Sequence, residues 1–143
     1  MNDFKLHEKL NNDCIKLGWL RNSLLLLMNN SLIPWFIIVP KTTKQELYEL
    51  TDDEQRELYA HINNLSQFLI NNFRSDKLNV ASIGNIVNQM HVHVIGRCHD
   101  DFCWPEVVWG KSERKEYEKE EIVSIANALQ QQLGEEFTRQ ISR

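Results

Sequence analysis

Two histidines separated by one residue, His91 and His93, are the side chains in this sequence best suited to do chemistry. They lie in a stretch that alternates with a period of two, which predicts a β-strand with Gln89, His91 and His93 on one face. Alternate residues of a strand lie roughly 6.5–7 Å apart, so one small anionic group could contact both imidazoles. Paired histidines on an exposed edge strand can also be ordinary surface residues, but the neighbouring glutamine favours a functional site.

Paired imidazoles support three kinds of site. A neutral imidazole is a competent nucleophile towards phosphorus, and a second one nearby can donate a hydrogen bond to a phosphoryl oxygen. A His-x-His pair can instead supply two metal ligands, with Cys98, His99 or Cys103 as the third, although these residues show no recognisable ligand spacing. The third kind is an anion-binding module without chemistry. We expect no metal and no cofactor.

The composition limits the class of protein. The 143 residues, 42% apolar and 25% charged, are typical of one soluble globular domain. A formal net charge of −4 argues against a nucleic-acid polymer as partner. Three cysteines without a CxxC pair predict free thiols in a reducing compartment, the cytoplasm. The apolar run Leu24–Met28 is too short to span a bilayer and Met1–Lys5 does not resemble a signal peptide, so no membrane is expected.

The elements that must position the histidines are predicted to form an α+β fold, an antiparallel sheet of about five strands with helices packed on it. A first helix is predicted over 4–17, with Gly18 as its stop. Two apolar strands over 20–28 and 33–39, joined by a short polar turn, predict a hairpin. A further strand over 77–83 leads into the histidine strand.

Two more helices are predicted after the hairpin. Thr51 and Glu54 form a capping box ahead of apolar residues at helical spacing, which predicts a helix over 52–74. His61 lies off that apolar stripe, so we expect it to be solvated or partly packed. A last helix is predicted over about 117–133, after a charge run, 111–121, that is typical of a solvated face.

A family resemblance adds to this interpretation. The segment Gln89–Ile95 resembles the His-φ-His-φ-His-φ-φ signature of the histidine triad (HIT) superfamily, in which φ is apolar. The resemblance covers roughly residues 20–110 and, with the last helix, implies a single HIT-like domain over 1–143. It extends to Leu78–Ala81, Gly84–Val87, Pro34–Lys41, the helix after Thr51, and Trp104–Gly110, which is similar to a tail in a bacterial branch labelled diadenosine tetraphosphate hydrolase-like.

The resemblance implies a homodimeric nucleotide hydrolase or transferase that cleaves a phosphoanhydride or phosphoramidate without a metal. His91 matches the nucleophile that becomes transiently nucleotidylated, and His93 matches the histidine that contacts the phosphate and stabilises charge. Asn79 and Gly84 match substrate-binding positions, and Asn85 stands where the family usually has a phosphate-contacting glutamine. A non-catalytic purine nucleotide-binding module and, behind it, a His-x-His metal-binding protein are the alternatives.

Two positions depart from the family pattern. Gln89 replaces the first histidine of the triad; its amide can keep a hydrogen bond but cannot change charge near neutral pH. Because this position supports the nucleophile, we expect activity to survive. Asn30 occupies the turn where relatives often carry an aspartate on the ribose hydroxyls, and a neutral amide bonds ribose more weakly than a carboxylate. Substrate preference is therefore the open question.

The remaining candidates are tryptophans and cations. Trp35 is expected to pack in the core or at a dimer face. Trp104 and Trp109 are expected to pack, either over the site or against a second subunit. Lys41 and Arg97 are candidates for steering phosphate, with an ordinary surface role as the alternative for each.

Overall fold

The computed structural model describes residues 4–142. Residues 1–3, the start of the segment considered for a signal peptide, and residue 143 lie outside the described part. Its strands form one six-stranded antiparallel sheet of order β4-β5-β3-β2-β1-β6. The elements, in chain order, are α1 Glu8–Asp13, β1 Cys14–Leu20, β2 Ser23–Met28, β3 Trp35–Pro40, α2 Asp52–Asn72, β4 Lys77–Ala81, β5 Val92–Arg97, α3 Lys119–Leu133 and β6 Phe137–Ser142.

Two predictions about the frame are confirmed. The α+β class is correct, and the predicted hairpin is present because β2 and β3 pair antiparallel. Helix α2 begins at the predicted capping box, in which the Thr51 hydroxyl accepts from the Glu54 N–H and the Glu54 carboxylate accepts from the Thr51 N–H. Between residues 4 and 142, no helix is long and apolar enough to cross a bilayer.

The predicted first helix is wrong over most of its length. Only Glu8–Asp13 is helical, and the chain then runs straight into β1. Pairing of β1 with both β2 and β6 overrides the incomplete helical stripe. Gly18 is not a helix stop; it lies at a register shift in β1, where a Cβ would overlap with the carbonyl oxygen of Thr138.

The sheet has one strand more than predicted, because β6 pairs with β1 at one edge. The apolar sequence pattern of β6 is weak because Phe137 is buried while most of the strand is exposed. The predicted polar face of the histidine strand is also corrected, since β5 is buried along its whole length and on both faces. That strand begins at Val92, so Gln89 and His91 precede it.

The sheet has two faces with different cover. On the helix face, Val92 and Val94 of β5 join a core with Phe68 and Leu69 of α2 and Leu129 of α3. On the loop face, defined by Trp35, Ile37, His93 and Ile95, the cover is α1 together with the loops that carry Val87 and Val108. Helices therefore close one face, while irregular chain closes the other and leaves room there for a site.

Candidate functional site

A cavity of about 460 Å³ lies on the loop face above β3 and β5. Its walls come from parts of the chain far apart in sequence. They are α1, the loop at 83–87, the histidine pair, and a segment over 108–115 that we call the strap. The lining residues that bear on the chemistry are Lys9, Leu10, Asp13, Asn30, Trp35, Ile37, Gly84, Asn85, Ile86, His91, His93, Trp109, Lys111, Glu113 and Arg114.

His91 stands just before β5 with its ring held by the main chain. Its Nδ1 lies 2.7 Å from the carbonyl oxygen of Gln89. Because a carbonyl only accepts hydrogen bonds, Nδ1 must carry the proton and donate it. In the neutral ring the lone pair is then on Nε2. His91 lines the cavity although it is largely buried, so its ring combines a fixed orientation with access to a ligand.

His93 is held in the opposite tautomer by a tryptophan. The indole Nε1–H of Trp35 donates to His93 Nδ1 across 3.0 Å, so the proton of the neutral ring is on Nε2. Burial, with a smaller effect of the nearby charge of His91 in the same direction, lowers the pKa of His93 to about 4. At neutral pH His93 is therefore uncharged and its Nε2–H is a hydrogen-bond donor.

The two imidazoles lie close together inside an aromatic group. Their ring centroids are 5.0 Å apart in an edge-to-face arrangement. Trp109 of the strap lies 5.1 Å from His93 and 5.9 Å from Trp35, each time nearly perpendicular. Trp109 thus packs over the histidine pair, one of the two positions predicted for it. Trp104 lies elsewhere, against His99 at 4.9 Å.

Gln89 does not line the cavity, although its sequence position is the first of the triad. Its side-chain Oε1 accepts from the His7 N–H at 2.8 Å, and its Nε2 donates to the Lys5 carbonyl at 3.0 Å. The amide therefore bonds the chain just before α1, and α1 supplies Lys9 and Asp13 to the cavity. No sequence pattern predicts this contact, because the partners are main-chain groups more than 80 residues away.

The predicted substrate-binding residues divide into two groups. Gly84 and Asn85 line the cavity from an exposed loop, where Gly84 adopts a φ of 71° that favours glycine. Asn79, on β4, is outside the lining. Its Oδ1 accepts from Arg97 Nη1 at 3.0 Å. The structure thus brings the 84–85 loop to the histidines and assigns Asn79 to a buried network.

Arg97 is the centre of that network and has neither of the roles considered for it. It is 1% exposed, forms an ion pair with Asp101 at 2.7 Å, and donates to the Glu106 carbonyl at 2.8 Å. These bonds fix the loop that follows β5. Lys41 is not at the cavity either; its ammonium lies 5.4 Å from the centre of the Trp19 ring.

Asn30 lines the cavity while it anchors the strap. Its Oδ1 accepts from the N–H groups of Leu32 and Lys115, and its Nδ2 donates to the Glu113 carbonyl. An amide nitrogen has two hydrogens, so one remains available for a ligand. The neighbouring Asn29 accepts from the Tyr117 N–H and so extends the anchor beyond the strap.

The cavity rim carries cations that no sequence motif singled out. Lys9, Lys111 and Arg114 line it, together with the carboxylates of Asp13 and Glu113. Arg114 donates to the carbonyl oxygen of Asp13 at 3.1 Å, which joins the strap to α1. The predicted solvated charge run is indeed exposed at 111–116, but its first four residues also form the rim.

His61 corrects another expectation. It is 2% exposed and lies on the buried side of α2, where its Nε2 has no hydrogen-bond partner among the described residues. Desolvation lowers its pKa and outweighs the opposing charge of Glu57. It belongs to the helix face, away from the cavity.

The metal interpretation required a third ligand near the histidine pair. Cys98 instead donates to the Arg74 carbonyl, His99 packs on Trp104, and Cys103 contacts Arg97. Within residues 4–142, no group of three or more His, Cys, Asp or Glu side chains is arranged to hold a metal ion. The three candidates for a third ligand thus each have another partner.

Comparisons with known proteins agree with this geometry. A family model described as the HIT domain matches residues 9–100. A histidine triad protein from Marinobacter aquaeolei VT8 is 41% identical, covers 91% of this chain and 96% of its own, and gives a TM-score of 0.85. Histidine triad proteins from Sinorhizobium meliloti 1021 and Bradyrhizobium japonicum are 35% and 33% identical, cover 91% and 90% of this chain and 97% of their own, and give TM-scores of 0.86 and 0.85. No curated protein matches the chain.

Proposed function

The chain belongs to the HIT domain family, whose members are usually nucleotide-binding proteins, hydrolases or transferases, and from that premise we propose that it is a nucleotide hydrolase with His91 as nucleophile. The observation that carries this proposal is the pair of opposite tautomers. His91 presents a lone pair on Nε2, while His93 presents an N–H on Nε2. A phosphoryl group needs both, an electron pair for phosphorus and a donor for its oxygens.

In the first step, the Nε2 lone pair of His91 attacks the α-phosphorus of the nucleotide and forms an N–P bond. The P–O bond of a phosphoanhydride, or the P–N bond of a phosphoramidate, breaks, and the leaving group departs with the bonding electrons. A polyphosphate leaves as the anion and needs no proton, whereas the amine released from a phosphoramidate takes a proton from solvent. The Gln89 carbonyl, which accepts from His91 Nδ1–H, stabilises the cationic ring that this step creates.

In the second step, water attacks the phosphorus of nucleotidyl-His91. The N–P bond breaks, its electrons return to Nε2, and a nucleoside monophosphate leaves with the oxygen of water. In both steps His93 Nε2–H donates to a phosphoryl oxygen. Because Trp35 fixes that tautomer before the ligand arrives, no reorganisation of His93 is required.

The lining supports a nucleotide of modest size with charge beyond the α-phosphate. Apolar side chains such as Leu10, Ile37 and Ile86 provide a surface for a base. The rim cations Lys9, Lys111 and Arg114 outnumber its carboxylates and suit an anionic leaving group. A dinucleoside polyphosphate, as in the branch that the sequence resembles, meets both conditions, and so does a nucleoside phosphoramidate.

The test is to trap the intermediate. The purified protein is mixed with diadenosine tetraphosphate or an adenosine phosphoramidate, quenched within milliseconds to seconds, and analysed by intact mass and peptide mapping. The expected result is an adenylyl adduct on His91 together with release of AMP. Binding of the nucleotide without any adduct or product, across both substrate classes, would contradict the proposal and favour the non-catalytic nucleotide-binding alternative.

We further propose that two copies of the chain associate and that the protein works in the cytoplasm. The pairing proposal is supported by β4, which lies at the sheet edge and, with the loop after it, exposes apolar residues, Val80 at 48% and Ile86 at 82%. The three free cysteines suit a reducing compartment. Sedimentation of the protein and of a Val80→Lys variant measures the association; an unshifted monomer in both would oppose it.

A further inference from the structure

Gln89 occupies the first position of the triad, where the family has a histidine. Its side chain lies outside the cavity lining, so contact with a ligand does not explain its role. The main-chain and side-chain groups of Gln89 bond different parts of the chain. Its main-chain carbonyl orients His91, and its side-chain amide bonds residues 5 and 7. One residue therefore joins the proposed nucleophile to the chain before α1.

That chain is one wall of the cavity. Lys9, Leu10 and Asp13 of α1 line it, and Leu10 is 5% exposed. Ahead of α1, Phe4 packs edge-to-face on Trp19 with centroids 5.6 Å apart. We call residues 5–13 the N-terminal wall, because α1 within this segment lines the cavity through Lys9, Leu10 and Asp13.

A helix of six residues has little stability of its own, so this wall depends on tertiary contacts. At its far end, the carbonyl of Asp13 accepts from Arg114 and from the Asn29 N–H. At its near end, the two bonds to Gln89 are the polar anchor. The primary amide suits that position because it has both an acceptor oxygen and a donor nitrogen, which meet the His7 N–H and the Lys5 C=O of the segment ahead of α1.

We propose that Gln89 is a positioning residue that holds the N-terminal wall against the cavity and thereby sets affinity for the nucleotide more than the rate of the chemical step. The KM and kcat measurements that test this proposal rest on the proposed function, whereas the amide-exchange measurement does not. The wall contacts a ligand equally in the ground state and the transition state, so its loss raises KM and leaves kcat nearly unchanged. The orientation of His91 is kept, because the carbonyl that it bonds belongs to the main chain.

The first experiment compares Gln89→Leu and Gln89→Glu with the control Gln67→Leu, a change on the exposed side of α2. Leucine removes both bonds to the wall; glutamate keeps the acceptor for His7 but sets a carboxylate against the Lys5 carbonyl. Gln89→Leu loses two hydrogen bonds, and Gln89→Glu loses one and gains a repulsive contact, so KM is expected to rise about tenfold in each, with kcat within about threefold of the wild type. A fall in kcat at constant KM would overturn the proposal.

The second experiment uses Gln89→His to give the anchor a pH dependence that glutamine lacks. A neutral imidazole has one donor and one acceptor, but an imidazolium has no acceptor for the His7 N–H. The ratio of variant to wild-type KM is expected to rise as pH falls through about 6.5, the ordinary pKa of histidine. A ratio that stays flat from pH 8 to pH 5.5 would contradict the anchor.

The third experiment needs no turnover and separates this inference from the proposed function. Amide exchange is measured on the wild type, Gln89→Leu and Gln67→Leu, and AMP affinity is measured by calorimetry. Exchange in residues 5–13 is expected to accelerate in Gln89→Leu alone, while β5 keeps its protection, and AMP affinity is expected to fall about tenfold. Unchanged exchange in the wall would overturn the inference even if the protein proves to be an active hydrolase.

Discussion

The two faces of the sheet are built from the same strands but by different rules. Val92 and Val94 of β5 meet the helices in a continuous apolar core, whereas His93, between them in sequence, meets Trp35 and the strap. The helix face is stabilised by area removed from water. The loop face has an apolar cluster of its own, but the loops that cover it are also held by directed bonds to buried polar groups, such as Asn30 and Arg97. Packing thus fixes the frame, and hydrogen bonds fix the position of the site on it.

The contrast predicts that the two faces respond oppositely to the loss of a histidine. His91→Asn removes the nucleophile, and turnover is expected to fall about 10³-fold or more, with no adduct in intact mass. His61→Gln changes a buried histidine of the helix face, away from the cavity, and is expected to retain turnover. Steady-state kinetics on both variants tests this. Comparable activity in His91→Asn and the wild type would refute the assigned nucleophile.

The helix face can be weakened without touching the site. Phe68→Ala removes a fully buried ring that packs edge-to-face on Phe36 and Phe73, so the free energy of unfolding is expected to fall by about 3–5 kcal/mol. Ile70→Ala, on the exposed side of the same helix, is expected to cost less than about 0.5 kcal/mol. Urea denaturation measures both. Equal losses of unfolding free energy in the two variants would show that Phe68 is not part of the core on the helix face.

Acid should act on the loop face through His93. The folded-state pKa of about 4 lies below the ordinary value near 6.5, so the unfolded chain takes up the proton first as pH falls. Stability is therefore lost between about pH 6.5 and 4, by up to about 3 kcal/mol, and is regained as pH rises. Unfolding free energies at pH 7.5, 5.5 and 4.5 for the wild type and His93→Gln measure this share. Identical slopes of unfolding free energy against pH in the two proteins would show that His93 does not contribute to the acid sensitivity.

The smallest expected effect comes from the loss of one hydrogen bond, from the Trp35 indole to His93. Trp35→Phe keeps an aromatic ring on the loop face but leaves the buried Nδ1 of His93 without its donor. Turnover is expected to fall about tenfold, since an unsatisfied buried acceptor costs about 1–3 kcal/mol and His93 loses its fixed tautomer. Trp19→Phe, which removes an exposed bond to Gln140, is the matched control. If steady-state kinetics give the same turnover for both variants, Trp35 contributes only packing.

How far the sequence predicted the structure also differs between the faces. The helix over 52–74 and the hairpin were predictable, because periodic burial and the Thr51–Glu54 box are local signals. The helix over 4–17 was wrong because its apolar residues serve a strand whose partners lie elsewhere in the chain. His61 was misplaced because a polar residue on a buried helix face breaks the apolar stripe.

On the loop face, the sequence identified the side chains but not their connections. His91 and His93 could be found from their types and spacing, and the resemblance drew attention to Gln89. The bonds from Gln89 to Lys5 and His7, and from Arg114 to Asp13, join positions 82 to 101 residues apart through main-chain groups. Such bonds require no particular residue on the main-chain side and leave no periodic pattern. They become visible only when the fold is known.

The pairing of β1 with β6 has a consequence for how the protein is made. On the ribosome, β1 leaves the exit tunnel well before its outer partner β6, which begins only at Phe137. Translation at about 5–20 residues per second leaves that edge of β1 unpaired for several seconds. The apolar nascent sheet is then open to misassociation at Ile15 and Leu17. Truncation before Phe137 would thus expose this edge permanently, although every proposed catalytic group precedes the cut.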